Sequence, residues 1–188
     1  MLIPAFFVLL LQGHNVAATI LFAIAASTDW VDGFIARSTN SVSRLGRILD
    51  PAVDRLLMIF AVVGLMLVGR LPTWIMILIL IRDVIMLFGY YLMLRKYDIR
   101  VDVIFVGKLA TALLYIGFFG LFLNAPLVPG LGITNFPWLP GFTSEAVSWG
   151  IWPVYIGLIL GIFTTTYYAL IGLLACHEVS VKQGRTVQ

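Results

Sequence analysis

Charge is what this chain has least of. Asp, Glu, Lys and Arg make up only 11% of its 188 residues, while 61% are hydrophobic; a soluble globular domain carries about 25% charged residues. That deficit excludes a large water-soluble core and points to lipid as the surrounding medium. Cysteine occurs once, at Cys176, so an intrachain disulfide is excluded. There is no basic run with interleaved aromatics, and nucleic acid is therefore not an expected partner. The apolar start at Leu2 has neither a positive n-region nor an A-x-A-like cleavage site, so it does not read as a signal peptide. From Ala125 to Thr143 the chain holds no charge at all, only irregular sequence rich in Pro and Gly.

What charge there is gathers in one stretch, DWVDGFIARSTNSVSRLGRILDPAVD, from Asp29 to Asp54. It holds four carboxylates, Asp29, Asp32, Asp50 and Asp54. The first two are three residues apart and the last two are four apart. On helices, either spacing puts both members of a pair on one face. The first pair ends one long apolar run and the second begins another, so the two faces can converge near one membrane surface. A carboxylate at membrane depth costs about 2.5–3.5 kcal/mol on insertion scales, and less near the interface. Four mutually repelling carboxylates need a cation between them, and hard oxygen ligands in that number suit Mg2+ or Mn2+. Pairing with Arg37, Arg44, Arg47 and Arg55 is the blander reading. It accounts for the tolerated charge but not for the interleaved Gly33, Ala36 and Gly46, small residues that allow close approach of a helix or a ligand.

Written out, the stretch is D-x2-DG-x2-AR-x8-G-x3-D-x3-D on Asp29, Asp32, Gly33, Ala36, Arg37, Gly46, Asp50 and Asp54. It resembles the signature of the CDP-alcohol phosphatidyltransferase family at all eight specified positions. The resemblance implies an integral membrane enzyme of phospholipid synthesis. In that family an alcohol attacks the diphosphate of a CDP-linked lipid, forming a phosphodiester and releasing CMP. Asp29, Asp32, Asp50 and Asp54 match its metal-binding aspartates, which implies two divalent cations that neutralise the diphosphate and the leaving phosphate. Asp54 also matches the general base on the acceptor hydroxyl. Asp32, Gly33, Ala36, Arg37 and Gly46 match positions around the CDP moiety. The stretches LGRILDPAVDRL and VGKLAT look like bacterial phosphatidylglycerophosphate synthases, and also like relatives that make cardiolipin from phosphatidylglycerol. The implied donor is CDP-diacylglycerol. Glycerol 3-phosphate is the favoured acceptor and phosphatidylglycerol the alternative.

The expected fold is all-α: a polytopic membrane helix bundle of about six transmembrane helices. Residues 1–176 form its one domain and residues 177–188 a short cytoplasmic tail. Met1 to Leu11 falls short of the ~20 residues that a spanning helix needs. Family members carry a longer first helix after a polar entry segment, so a truncated first helix is expected here. Further helices are expected at Val16–Arg37, Arg44–Gly69, Thr73–Leu94, Val106–Asn124 and Glu145–Cys176. Between them lie the polar turn Gln12–Asn15 (where His14 reads as a surface residue), the connector Ser38–Ser43, the turn Arg70–Pro72, a charged stretch ending at Lys108, and the uncharged loop. Pro72 suits a helix N-terminus. Cys176 and His177, at the end of the last helix, read as unremarkable.

With six spans, the connectors after the second and fourth helices share a side with both termini. That side holds Arg37, Arg44, Arg47, Arg95, Lys96, Arg100, Lys108, Lys182 and Arg185, against Arg70 alone on the other. The positive side is cytoplasmic, which puts the aspartates at the cytoplasmic face of the cell membrane. Arg82, midway along the fourth helix, is costly unless it faces the bundle interior or a wet cavity. It is a candidate for binding acceptor phosphate, with structural pairing as the alternative. Its neighbour Asp83 is not expected to face it, because adjacent helical positions diverge. Lys108 is a second acceptor candidate, set against ordinary snorkelling. Gly157 and Gly161 form a GxxxG that serves packing within the chain or a homodimer, and Thr164 to Tyr168 are expected to hydrogen-bond inside the bundle. Two other classes compete. A membrane prenyltransferase also binds Mg-diphosphate through aspartates on helices, but it gives the DG-x2-AR and x8-G elements no role. An ion pathway needs charge continuity across the membrane, which the fifth and sixth helices do not offer.

Overall fold

Ten apolar residues are too few to cross a bilayer, yet they suffice for a helix that packs. The computed structural model describes the backbone of residues 2–38, 46–97 and 105–185, and side chains over 4–28, 56, 58–89 and 105–172. Its helices are α1 (Leu2–Leu11), α2 (Asn15–Ser38), α3 (Gly46–Leu67), α4 (Thr73–Tyr97), α5 (Phe105–Leu123) and α6 (Ile151–Arg185). Helix α1 rises about 15 Å and packs on α2 and α3. Its Phe6 and Leu10 are buried. The Phe6 ring lies 5.6 Å from that of Phe22 on α2 and 5.0 Å from that of Phe122 on α5. Gly64 on α3 leaves the room: a Cβ there would meet Leu10 Cδ2 at 3.1 Å.

Two helices end in the same way. After α3, Gly69 takes φ +68°, its N–H donates to Met66 O at 2.9 Å, and the Arg70 N–H donates to Leu65 O at 2.9 Å. This is a Schellman cap, which needs a left-handed residue that glycine supplies without a Cβ penalty. Gly13 closes α1 with the same pair of bonds. The cap fixes where Arg70 emerges. Its guanidinium donates to Leu121 O (3.1 Å) and Phe122 O (2.8 Å) at the end of α5, and to Asn15 Oδ1 (2.7 Å) at the start of α2. Burial pushes the Arg70 pKa down, and two of the three bonds satisfy carbonyls in the last turn of α5.

Helices α5 and α6 share the most extensive seam. A Cβ on Gly117 would lie 2.5 Å from Val154 Cγ2, and one on Gly120 would lie 2.7 Å from Gly150 Cα. A Cβ on Gly150 would collide with Gly117 O. Small residues thus bring two backbones together, the packing that apolar helices use when lipid offers no hydrophobic gain. Phe105–Leu123 and Ile151–Gly172 are long and apolar enough to cross a membrane. In α2 and α3 the described apolar stretches, Asn15–Thr28 and Met58–Leu67, are shorter. Large apolar side chains also face outward, among them Ile20 and Ile24 on α2, Ile77 and Phe88 on α4, and Ile159 and Phe163 on α6.

Three expectations need correction. The uncharged loop expected over Ala125–Thr143 gives one strand of a two-residue antiparallel ladder, β1 (Leu127–Val128), and its partner β2 (Val147–Ser148) falls where the last helix was expected, pairing Leu127 with Ser148 and Val128 with Val147. The last helix begins at Ile151 rather than Glu145, because the ladder and the close seam at Gly150 occupy the intervening residues. It also ends at Arg185 rather than Cys176, so the chain stays helical through most of residues 177–188. Pro153 falls in its first turn, where a missing N–H costs nothing.

Candidate active site

The motif divides between two helix ends. Asp29, Asp32, Gly33, Ala36 and Arg37 lie in the last three turns of α2. Gly46, Asp50 and Asp54 lie in the first three turns of α3. The two helices pack together, and residues 39–45, which join them, lie outside the described residues, as do the side chains of all eight motif positions. With so short a connection, both halves of the motif belong to one end of the α2–α3 pair.

Helix α5 serves as a ruler for depth. At one end, Arg70 links Asn15 of α2 to Leu121 and Phe122 of α5. Two turns along α2, the Phe22 ring lies 6.4 Å from that of Tyr115 and 5.7 Å from that of Phe119. The helices are therefore antiparallel. Another two turns, about 10 Å of rise, bring Asp29 level with Lys108. Helix α6 carries the comparison to α4. A Cβ on Gly157 would sit 3.0 Å from Ala110 O and 3.1 Å from Leu114 Cγ, which sets Gly157 against α5. One turn further on, a Cβ on Gly161 would sit 3.0 Å from Arg82 Nε and 3.3 Å from its Cζ. Arg82 is thus level with the first turns of α5. The fold brings the first aspartate pair, Arg82 and Lys108 to a common depth.

The two cations differ in setting. Arg82 is 4% exposed and Asp83 4% exposed, whereas Lys108 lies on the exposed side of α5. Contrary to the sequence-based expectation, Arg82 Nη1 and Asp83 Oδ1 approach to 3.5 Å. Neighbouring helical positions diverge, but a long guanidinium stem can bend back when both groups are buried. The pair offsets part of the cost of burying charge. The threonines of the Thr164–Tyr168 stretch bond along their own helix rather than across the bundle: Thr164, Thr165 and Thr166 donate to Leu160 O, Gly161 O and Ile162 O at 2.5, 2.9 and 2.9 Å. The two glycines of the GxxxG are both used inside the chain, Gly157 against α5 and Gly161 against Arg82. Sequence reasoning missed that division. The available signal was Arg82 itself, since a buried guanidinium needs a small residue opposite.

A sequence profile of the CDP-alcohol phosphatidyltransferase family matches residues 1–163. The chain belongs to that family. Among curated CDP-alcohol phosphatidyltransferase relatives, a Mycobacterium tuberculosis protein provisionally named a cardiolipin synthase is 38% identical over 118 residues, covering 62% of this chain and 56% of the relative. The CDP-diacylglycerol–glycerol-3-phosphate 3-phosphatidyltransferase of Bacillus subtilis is 44% identical over 69 residues, 37% of this chain and 36% of the relative. The cardiolipin synthase (CMP-forming) of Streptomyces coelicolor is 37% identical over 94 residues, 50% of this chain and 44% of the relative. The chain spans about half the length of the curated relatives it matches, or less. No solved structure matches it.

Proposed function

We propose that this member of the CDP-alcohol phosphatidyltransferase family moves the phosphatidyl group of CDP-diacylglycerol onto glycerol 3-phosphate and releases CMP. What supports the reading is the common depth of the first aspartate pair, Arg82 and Lys108, which puts two cations at the level of the motif along the bundle. Asp29, Asp32, Asp50 and Asp54 form an all-oxygen donor set that fits Mg2+ or Mn2+. Two such ions, when bound, neutralise the donor diphosphate. Asp32, Gly33, Ala36, Arg37 and Gly46 hold the CDP moiety. Arg82 and Lys108 hold the acceptor phosphate and orient its hydroxyl. Asp54 takes the hydroxyl proton as the oxygen attacks the phosphatidyl phosphorus. The phosphoanhydride P–O bond breaks, and its electron pair leaves with CMP.

The same reading makes residues 1–176 one multi-pass membrane domain, with residues 177–188 as its tail and the site open to the cytoplasm. The outward-facing Ile20, Ile77 and Ile159 support burial in lipid, and the distribution of Lys and Arg supports the orientation. A second acceptor, phosphatidylglycerol, is favoured by the names of the Mycobacterium and Streptomyces relatives. An acceptor panel decides between them, using purified protein, CDP-diacylglycerol and Mg2+. Phosphatidylglycerophosphate with CMP is expected from glycerol 3-phosphate. Cardiolipin from phosphatidylglycerol, with no product from glycerol 3-phosphate, would reassign the acceptor. Absence of CMP with both would overturn the reading.

A further inference from the structure

A cavity of about 470 Å3 opens between the α3–α4 turn and the loop that joins α5 to α6. Arg70 lines it and bonds Asn15, so it belongs to the end of the bundle away from the aspartates. Asn15 and Asp29 are separated by roughly 20 Å of helix rise. No group of the transferase reading lies in this cavity. Its polar lining includes Arg70, Asn124, Asn135, Ser144, Glu145 and Ser148. The size falls within the usual range for small-ligand pockets, ~300–1,000 Å3.

Two of these side chains are available for a ligand. The Arg70 guanidinium uses three of its N–H groups on Leu121 O, Phe122 O and Asn15 Oδ1. Of the five N–H donors an arginine carries, Nε–H and one Nη2–H are left without a partner among the described residues. The three bonds fix the plane of the fork, so the remaining donors are preorganised for an oxyanion. Glu145 is exposed and has no hydrogen-bond partner among the described residues. The cavity therefore offers a fixed cation and a free carboxylate together.

The surrounding loop states the environment. Leu131, Ile133, Phe136 and Trp138 are 55%, 67%, 56% and 53% exposed. They are held in place: the N–H groups of Leu131 and Ile133 donate to Gly141 O and Phe142 O at 2.9 Å each, and Trp74 Nε1–H donates to Trp138 O at 2.6 Å. Phe136 and Trp138 neighbour the lining residues Asn135 and Pro137 in the chain, and an apolar loop with aromatics bordering a polar hollow matches the boundary between acyl chains and headgroups. The loop is continuous with α5 and α6, the two helices most suited to spanning.

We propose that this cavity binds the headgroup of a zwitterionic phospholipid from the leaflet opposite the aspartates, its phosphodiester against Arg70 and its ammonium against Glu145, with the apolar loop along its acyl chains. The test is mass spectrometry of the intact full chain released from detergent micelles, with dihexanoyl phosphatidylethanolamine as probe. Dihexanoylglycerol, glycerophosphoethanolamine and inorganic phosphate are the controls. The phospholipid should be retained, and the three controls should not. Asn135→Trp fills the mouth from an exposed position and should abolish retention. Glu145→Gln should weaken it about three- to fivefold, the worth of one partly solvated ion pair. Both variants should keep their melting temperature. Retention unchanged by Asn135→Trp would overturn the site, as would no retention by the parent chain. Equal retention of inorganic phosphate would overturn the lipid assignment. None of these readouts depends on phosphatidyl transfer, so failure here leaves the proposed activity standing, and the reverse.

Discussion

An amide in place of a carboxylate keeps the shape and removes the charge that the proposed metal site requires. Asn at Asp29 or at Asp50 should therefore abolish CMP release while leaving helix content and melting temperature unchanged. Either variant retaining full activity in the presence of chelator would sink the metal-site reading. Arg82→Ala should raise the KM for glycerol 3-phosphate much more than that for CDP-diacylglycerol. Removing a charge-assisted hydrogen bond from a desolvated pocket costs about 1.5–3 kcal/mol, roughly ten- to a hundredfold. Equal effects on both substrates would assign Arg82 to structure alone. At this scale the aspartates stood out in the sequence because carboxylates in lipid-like sequence demand an explanation, and their side chains lie outside the described residues. Arg70 was not. It read as a lone loop cation, and only the tertiary fold shows it joined to Asn15, Leu121 and Phe122. Deleting those bonds with Arg70→Met should cost about 2–3 kcal/mol, seen as a lowered melting temperature.

Between elements, the glycines separate two kinds of site that sequence cannot tell apart. At Gly89 on α4 an added Cβ would meet nothing within 4 Å. Gly89→Ala should therefore stabilise by up to about 1 kcal/mol, the gain in helix propensity. At Gly150 the same methyl would collide with Gly117 O and lie 2.6 Å from Leu121 N, both backbone atoms. Gly150→Ala should destabilise by about 1–3 kcal/mol or more, the usual cost of overpacking. Paired thermal melts in one detergent would check both signs. Apart from α6, the helices were readable to within a few residues because Gly, Pro and polar turns punctuate the apolar runs, and α1, α2 and α5 each lie close to the expected limits. The β1–β2 ladder was not readable. Two residues per strand leave no period-2 signal, and the pairing of Leu127 with Ser148 depends on a long connection with Glu145 as its one charge. The start of α6 followed the same rule, since it is set by close packing at Gly150 rather than by local preference.

For the whole molecule, the proposed orientation rests on the Lys and Arg distribution, with nine on one side and one on the other. A Ser41→Cys chain that also carries Cys176→Ala should resist an impermeant maleimide in intact cells and react after the membrane is opened. Labelling from outside would reverse the topology. Family membership removes the force of the prenyltransferase reading, which gave the DG-x2-AR and x8-G elements no part, and of the ion-pathway reading, which lacked charge continuity. One feature of the far end also governs mechanics at the near one. Arg70 fastens the start of α2, the end of α5 and the α3–α4 turn at a single point, and a tilt of the helices about that point would make it a fulcrum and the helices its arms. Displacement then grows with distance along the arm. Asp29 lies roughly 20 Å of helix rise from the fulcrum, so a tilt of about 5° carries it about 2 Å while Asn15 stays where it is. Any such tilt is felt most at the aspartate end and least at the Arg70 joint, where the three bonds can stay intact.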